Sequence, residues 1–189
     1  EIEIIYKKDN LSINGNGDFL VQKNNDKINY KIKKIKDDYS FDLQFDSIND
    51  SIILDFLNYK TKDRSNSKIK LQGKYLSNRS LHLQQIKFQN DTDLININGL
   101  ALSNDFKILS IQSANFSFTD VQNKMNIFQI KNKEGYFLIS GKKFNASKLI
   151  EDLIFEETEN KDIFDNDYTF KIDLKEVYLH KEYITYDLK

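Results

Sequence analysis

The chain of 189 residues has no cysteine, no proline and no tryptophan, and Arg64 and Arg79 are its only arginines. Without cysteine there is no disulfide framework, no thiolate-bound zinc and no thiol nucleophile. Charge of one sign is also missing: 28 Lys+Arg stand against 29 Asp+Glu, which leaves no positive field to hold nucleic acid or an anionic bilayer. Apolar runs such as Ile52–Ile53–Leu54 stop far short of the about 20 residues a membrane-spanning helix needs. The opening residues, Glu1 to Tyr6, read as strand and not as a basic, then apolar, leader. Because the chain opens and closes in strand-like text without a start Met, a piece of something longer is expected. The lack of proline leaves strand patterns unbroken, although Lys, Asn, Ile, Tyr and Phe enrichment also follows from AT-rich codons.

What is present is alternation of period two from end to end. Leu11, Ile13, Gly15, Gly17 and Phe19 share one face, with Ser12, Asn14, Asn16 and Asp18 on the other. Ile28, Tyr30 and Ile32 continue the pattern, and Phe41, Leu43 and Phe45 follow a turn over residues 33–38. Ile69, Leu71 and Gly73 alternate with lysines and Gln72. Leu81, Leu83, Ile86 and Phe88 follow, with a phase slip at Gln84–Gln85 that predicts a bulge. Further runs hold Ile95–Ile97, Phe116–Phe118, Ile127–Ile130, and Tyr168 to Leu174. Residues 125–141 read as a hairpin with Gly135 at the left-handed position of its loop.

One passage breaks the period. Asn145 can cap a helix, Phe144 can staple onto Leu149, and Leu149, Ile150, Leu153 and Ile154 form a helical stripe, so a helix is expected near 146–155. Residues 156–167 are acidic and unpatterned, and read as a loop. The whole is predicted all-β: a single β-rich segment over residues 1–189, a long curved antiparallel sheet of about twelve strands with an inserted helix at 145–155. At about 4.8 Å per strand a meander would extend on the order of 55 Å, and strongly twisted sheets of more than about ten strands curl, close or split. A motif of apolar, x, apolar, x, Gly recurs at Gly15, Gly73, Gly99 and Gly141. Such glycines leave room for a neighbouring backbone or a packed group, or else serve as bends at strand ends.

Catalytic chemistry is hard to find. His82 lies on the polar side of a strand and His180 near a turn, neither with a nucleophile or partner pattern, so both read as solvent-facing. Asp91–Thr92–Asp93 and the acids of 162–167 suggest cation loops, but counting from Asp165 puts Phe170 where a calcium loop needs glycine. No phosphate loop, GxSxG elbow or HExxH occurs. No enzyme activity, metal or cofactor is expected. Nor is a nucleic-acid partner, since acids are mixed among the Lys–Tyr pairs at equal density.

The stretch from Gly135 to Ile150 is a strand ending Ser140–Gly141, then Lys142, Lys143, Phe144, Asn145, Ala146, Ser147 and Leu149; the strand Phe170–Val177 follows the acidic loop. This resembles the AsmA-like proteins of the Gram-negative envelope, of the YhdP/TamB kind, in which a similar passage interrupts long arrays of amphipathic strands; Asn145 stands where that family often has Asp. The resemblance implies a bridge-like lipid-transport protein, the periplasmic portion of a cell-envelope protein anchored in the inner membrane in its full-length form. Its apolar trough would carry phospholipid, or another acyl-chain lipid, between inner and outer membranes. Two bare chains of about 15 carbons cost on the order of 20 kcal/mol in water at about 0.8 kcal/mol per CH₂, and a trough removes most of that without a covalent step.

On that reading the groove lining is Ile13, Phe19, Phe41, Leu43, Ile69, Leu71, Leu81, Leu83, Ile95, Ile97, Phe116, Phe118 and Ile139, and Phe144, Leu149, Leu153 and Ile154 pack the helix inward. The same positions serve equally as the closed core of a β-sandwich or solenoid interaction module. An outer-membrane barrel also alternates, but its lipid-facing band lies between aromatic girdles, whereas Phe41 and Phe45 sit mid-strand.

Overall fold

Alternation becomes strand throughout the computed structural model, which describes residues 1–21, 24–48, 51–62, 65–77, 80–148, 150, 167–180 and 183–189. The strands are β1 (Ile2–Lys7), β2 (Asn10–Val21), β3 (Asn24–Ile35), β4 (Asp38–Ile48), β5 (Ile53–Leu54), β6 (Tyr59–Lys60), β7 (Asn66–Tyr75) and β8 (Leu81–Asn90). They continue as β9 (Asp93–Leu102), β10 (Ile108–Ser110), β11 (Ser113–Thr119), β12 (Met125–Lys133), β13 (Tyr136–Asn145), β14 (Phe170–His180) and β15 (Tyr183–Leu188). Thirteen of them form one sheet in the order β1-β2-β3-β4-β7-β8-β9-β11-β12-β13-β14-β15, with β10 also on β9. The sheet is not closed into a barrel. β5 and β6 pair apart from it, joined by a single 3-10 turn, Asp55–Leu57.

Turns fall where the alternation lapses. Lys36 (φ 56°) and Gly135 (φ 83°) take left-handed conformations in the two-residue loops between β3 and β4 and between β12 and β13. The predicted bulge is present: Gln72 pairs with Gln85 but Gly73 with Leu83, so Gln84 is the extra residue. On the facing strand Gly99 turns to φ 62°, and beyond it Leu100 pairs with Leu83 as Ile97 pairs with Ile86. Both strands thus change phase in step, and the apolar residues stay on one side.

One pair departs from the antiparallel expectation. β13 and β14 run parallel, Phe137 beside Phe170 and Asn145 beside Tyr178. Parallel neighbours need a long crossover connection, and residues 146–169 supply it. Its start is helical at Ser147, Lys148 and Ile150. Asn145 Oδ1 accepts the Ser147 N–H at 3.1 Å, and the Ile150 N–H donates to the Ala146 carbonyl at 2.9 Å. Asn145 therefore satisfies a free N–H at the helix start, from the position just before Ala146, whose carbonyl takes the first helical bond. Leu149, Leu153, Ile154 and the loop residues 156–166 lie outside the described residues.

The glycine motif has a specific packing reason. Gly15 pairs with Tyr30, Gly73 with Phe41 and Gly141 with Phe128, each glycine opposite an aromatic residue on the next strand. A Cβ at Gly73 would stand 2.6 Å from the His82 carbonyl oxygen and 2.9 Å from the Phe41 ring, and one at Gly15 would stand 2.4 Å from the Tyr30 hydroxyl. The Tyr30 and Phe41 rings lean over the space that the missing side chains leave, a cross-strand arrangement that offsets the weak strand propensity of glycine, whereas at Gly141 a Cβ would meet backbone, 2.4 Å from the Ile127 carbonyl oxygen and 2.6 Å from the Phe128 Cα.

Gly73→Val is expected to lower stability by about 1–3 kcal/mol through overpacking. Gly17→Ala, where nothing stands within 4 Å of the new methyl, should stay within about 0.5 kcal/mol of the parent. Urea unfolding of both variants checks the pair, and equal losses would contradict the ring-over-glycine account.

Candidate functional site

Strand register assembles the alternating residues into apolar rows that cross the sheet. One row begins Ile2–Gly15–Tyr30–Leu43–Leu71–Ile86 on β1, β2, β3, β4, β7 and β8. It continues Ile97–Ala114–Ile130–Ile139–Ile172 on β9, β11, β12, β13 and β14, and the Tyr30 hydroxyl is the one polar side-chain group along it. At about 4.8 Å per strand it extends roughly 50 Å. A neighbouring row runs Ile28–Phe45–Ile69–Phe88–Ile95–Phe116–Phe128 and ends in Gly141 and Leu174. The opposite face carries Lys31, Asp42, Gln72, Gln85 and Asn98 in mutual register.

Exposure along this face is graded. At its middle Phe88, Ile95, Ala114, Phe116, Phe128, Leu174 and Val177 are buried. Toward β1 the cover thins: Ile13, Ile32, Phe41, Leu43 and Leu71 are half-buried, and Ile4 is 64% exposed. The cover over the middle includes the excursion of residues 51–62 between β4 and β7. Tyr59, 1% exposed, sets its ring edge-on against Phe88 at 5.5 Å and Phe118 at 5.4 Å. Ile52, Leu54 and Leu57 pack on the same cluster. The phenol donates to Asp93 Oδ2 at 3.0 Å, and Asp93 Oδ1 accepts the Thr119 N–H at 3.3 Å. Burial, and then the Asp93 carboxylate beside it, hold the Tyr59 phenol far above the ordinary tyrosine range.

A second closure lies at the same end of the sheet. Asp120, in the turn from β11 to β12, is buried and accepts N–H bonds from Gln122 and Lys124, each at 2.9 Å. Its other oxygen accepts from Asn145 Nδ2 at 2.6 Å and Asn126 Nδ2 at 3.3 Å. Asn126 Oδ1 takes the Asn145 backbone N–H at 2.8 Å, and the Ser147 hydroxyl donates to Asn145 Oδ1 at 2.7 Å. With four donors on its carboxylate, Asp120 has no lone pair left for a substrate. The knot fixes the strand-to-helix junction and carries no chemistry of its own.

Of the sequence-predicted lining, Ile95, Phe116 and Phe118 stand in the closed middle, and Ile69, Ile97 and Ile139 pack against it half-buried. Ile13, Phe41, Leu43, Leu71, Leu81 and Leu83 lie half-buried on the more open parts of the face. The Phe19 side chain lies outside the described residues, although its backbone pairs with Asp26. Phe144 packs inward, 4.7 Å from the Phe128 ring. Sequence reasoning missed Tyr59 and Asp120. The dense, non-alternating apolar text of Ile52 to Tyr59 was a signal for the first. For the second, nothing in Asp120–Val121–Gln122 distinguishes it from an ordinary turn.

Among the described residues the remaining candidates for chemistry are occupied or exposed; the His180 side chain and the acids of 162–166 lie outside them. His82 is exposed, with its Nε2 3.1 Å from the Ser80 hydroxyl. Asp93, one of the suspected cation ligands, is engaged by Tyr59 and Thr119, and Asp91 turns the chain at φ 44°. Glu176 accepts from Tyr178 and from Lys143, 3.2 Å away, which lowers its pKa; an ion pair this exposed contributes little. A cleft of about 470 Å³ lies among Glu3, Asn14, Asn29, Lys31 and Gln44 on the polar face, lined for water and not for an acyl chain. Among the described residues no group of three or more His, Asp or Glu could hold a metal.

Asp120→Ala leaves the buried amides of Asn126 and Asn145 short of an acceptor and is expected to cost about 2–4 kcal/mol in urea unfolding. Tyr59→Phe should cost about 1 kcal/mol at neutral pH and change the alkaline limb. Because the phenol stays protonated in the folded state, its contribution is complete below the ordinary value of about 10 and is lost as pH rises above it. Unfolding midpoints between pH 8 and 11 should therefore fall more steeply for the parent than for Tyr59→Phe; parallel slopes would refute the buried-phenol account. No family model, no curated protein and no solved structure matches this chain.

Proposed function

We propose that this chain is a segment of a lipid-carrying trough, binding acyl chains on the apolar face of its sheet without catalysing a reaction. The observation that carries the reading is the apolar row from Ile2 to Ile172, unbroken across eleven strands. A closed domain core needs apolar side chains where layers meet; it does not need them in one register line out to a strand as exposed as β1. The half-buried set Ile13, Ile32, Phe41, Leu43 and Leu71 would seat the chains, each CH₂ withdrawn from water contributing about 0.8 kcal/mol. The charged face would remain toward water.

The resemblance of the Gly135–Ile150 passage to AsmA-like envelope proteins favours phospholipid as cargo, and a periplasmic position between inner and outer membranes, with the inner-membrane anchor elsewhere in the full-length protein. A second reading, an interaction module with a closed core, draws support from the burial of Phe88, Ile95, Phe116 and Phe118.

Lipid extraction and mass spectrometry of natively purified protein separate the two, with phospholipid expected at near-stoichiometric amount. Leu43→Asp and Leu71→Asp, at half-buried positions, should fold with a loss of about 1–2 kcal/mol and lose the lipid, while Phe116→Asp should unfold the chain. Protein that is lipid-free after native purification, or Leu43→Asp and Leu71→Asp variants that both unfold, would favour the closed module.

A further inference from the structure

Resting on the trough reading, we propose that the aromatic pocket beneath Tyr59, walled by Phe88, Ile95, Phe116 and Phe118, is itself an acyl-chain seat, occupied by the excursion of residues 51–62 until lipid displaces it. Three observations point there. The walls belong to the face already described: Phe88, Ile95 and Phe116 continue the row that begins at Ile28 and Phe45, so the pocket is the inward extension of the open half-trough.

The main sheet does not need the excursion. β4 and β7, the strands on either side of it in the sequence, pair directly with each other from Tyr39–Tyr75 to Ile48–Asn66. β5 and β6 pair only with each other. Withdrawal of residues 51–62 would therefore break no strand pairing of the large sheet.

The excursion also holds together as a unit, and among the described residues its polar ties lie at its base and its tip, with the Lys62 carbonyl accepting the Ser65 N–H at 3.3 Å and the Ser65 hydroxyl at 2.6 Å. Its base is closed by the Ile52 N–H on Thr61 Oγ1 at 2.9 Å and the Thr61 N–H on the Ile52 carbonyl at 3.0 Å. Its tip is held by the Tyr59–Asp93 hydrogen bond and by the Val121 N–H on the Asn58 carbonyl at 3.0 Å. What it places in the pocket, Leu54, Leu57 and the Tyr59 ring, is of the same chemical class as an acyl chain.

The parent chain has no cysteine, so a disulfide across the tip can be placed without competition. Asn58→Cys with Val121→Cys uses the close backbone approach of the two positions, and Val121 is exposed enough to be replaced. The probe is a phospholipid with a fluorophore at the end of one acyl chain, presented in phosphatidylglycerol vesicles. Oxidised stapled protein is expected to take up several-fold less probe than the same protein after reduction, and the parent to match the reduced form. Equal uptake by oxidised, reduced and parent protein would overturn the seat beneath Tyr59 while leaving the outer trough standing. No uptake by any form would overturn both. If the staple disturbs the fold, Tyr59→Phe carries the test: it keeps the ring, loses the Asp93 bond, and should load several-fold faster than the parent, whereas an unchanged rate would overturn the proposal.

Discussion

The constraint on which this structure rests is phase. A strand residue shifted by one position points to the other face, so a sheet of thirteen strands keeps one apolar side only if every irregularity is matched by its neighbour. Gln84 and Gly99 meet that need on β8 and β9. On β13 and β14 the apolar positions Gly141 and Phe144, like their partners Leu174 and Val177, stand three apart and not two. Each shift is repeated on the adjacent strand, and the face survives it. An unmatched shift would turn half a strand of isoleucine and phenylalanine toward the lysines.

A face of this extent cannot be left wholly in water, and the chain covers it unevenly. The aromatic middle lies under Tyr59 and its neighbours and beside the capped start of the helix. Both covers are anchored by carboxylates whose bonds are made within the protein, the half-buried Asp93 under the phenol and the buried Asp120 under Asn145. Burying a carboxylate without partners is costly, which is why each anchor is surrounded by donors. Toward β1, beyond the buried Asp26 of β3, Ile2, Ile4 and Tyr6 are exposed.

Glycine placement gives a third view of the same economy of space. Opposite Tyr30 and Phe41 a side chain would collide with the ring, which takes the room of two residues, and opposite Phe128 it would collide with the backbone itself.

Alternation, visible without any coordinates, determined that the chain is all-β, that β8 bulges near Gln84–Gln85 and most of the residues that share a face, although past Ile97 the face continues at Leu100 and not at Gly99. These are local consequences of side chains that point to opposite sides at successive positions. Tertiary structure decided the rest: that β13 and β14 run parallel, that the excursion between β4 and β7 folds back so that Tyr59 lies on Phe88 and Phe118, and that Asp120 gathers Asn126 and Asn145. Those outcomes depend on which distant residues meet, and strand periodicity is the same whether the face above it is open or covered. Only the contact of separate segments settles how much apolar surface is left for something else.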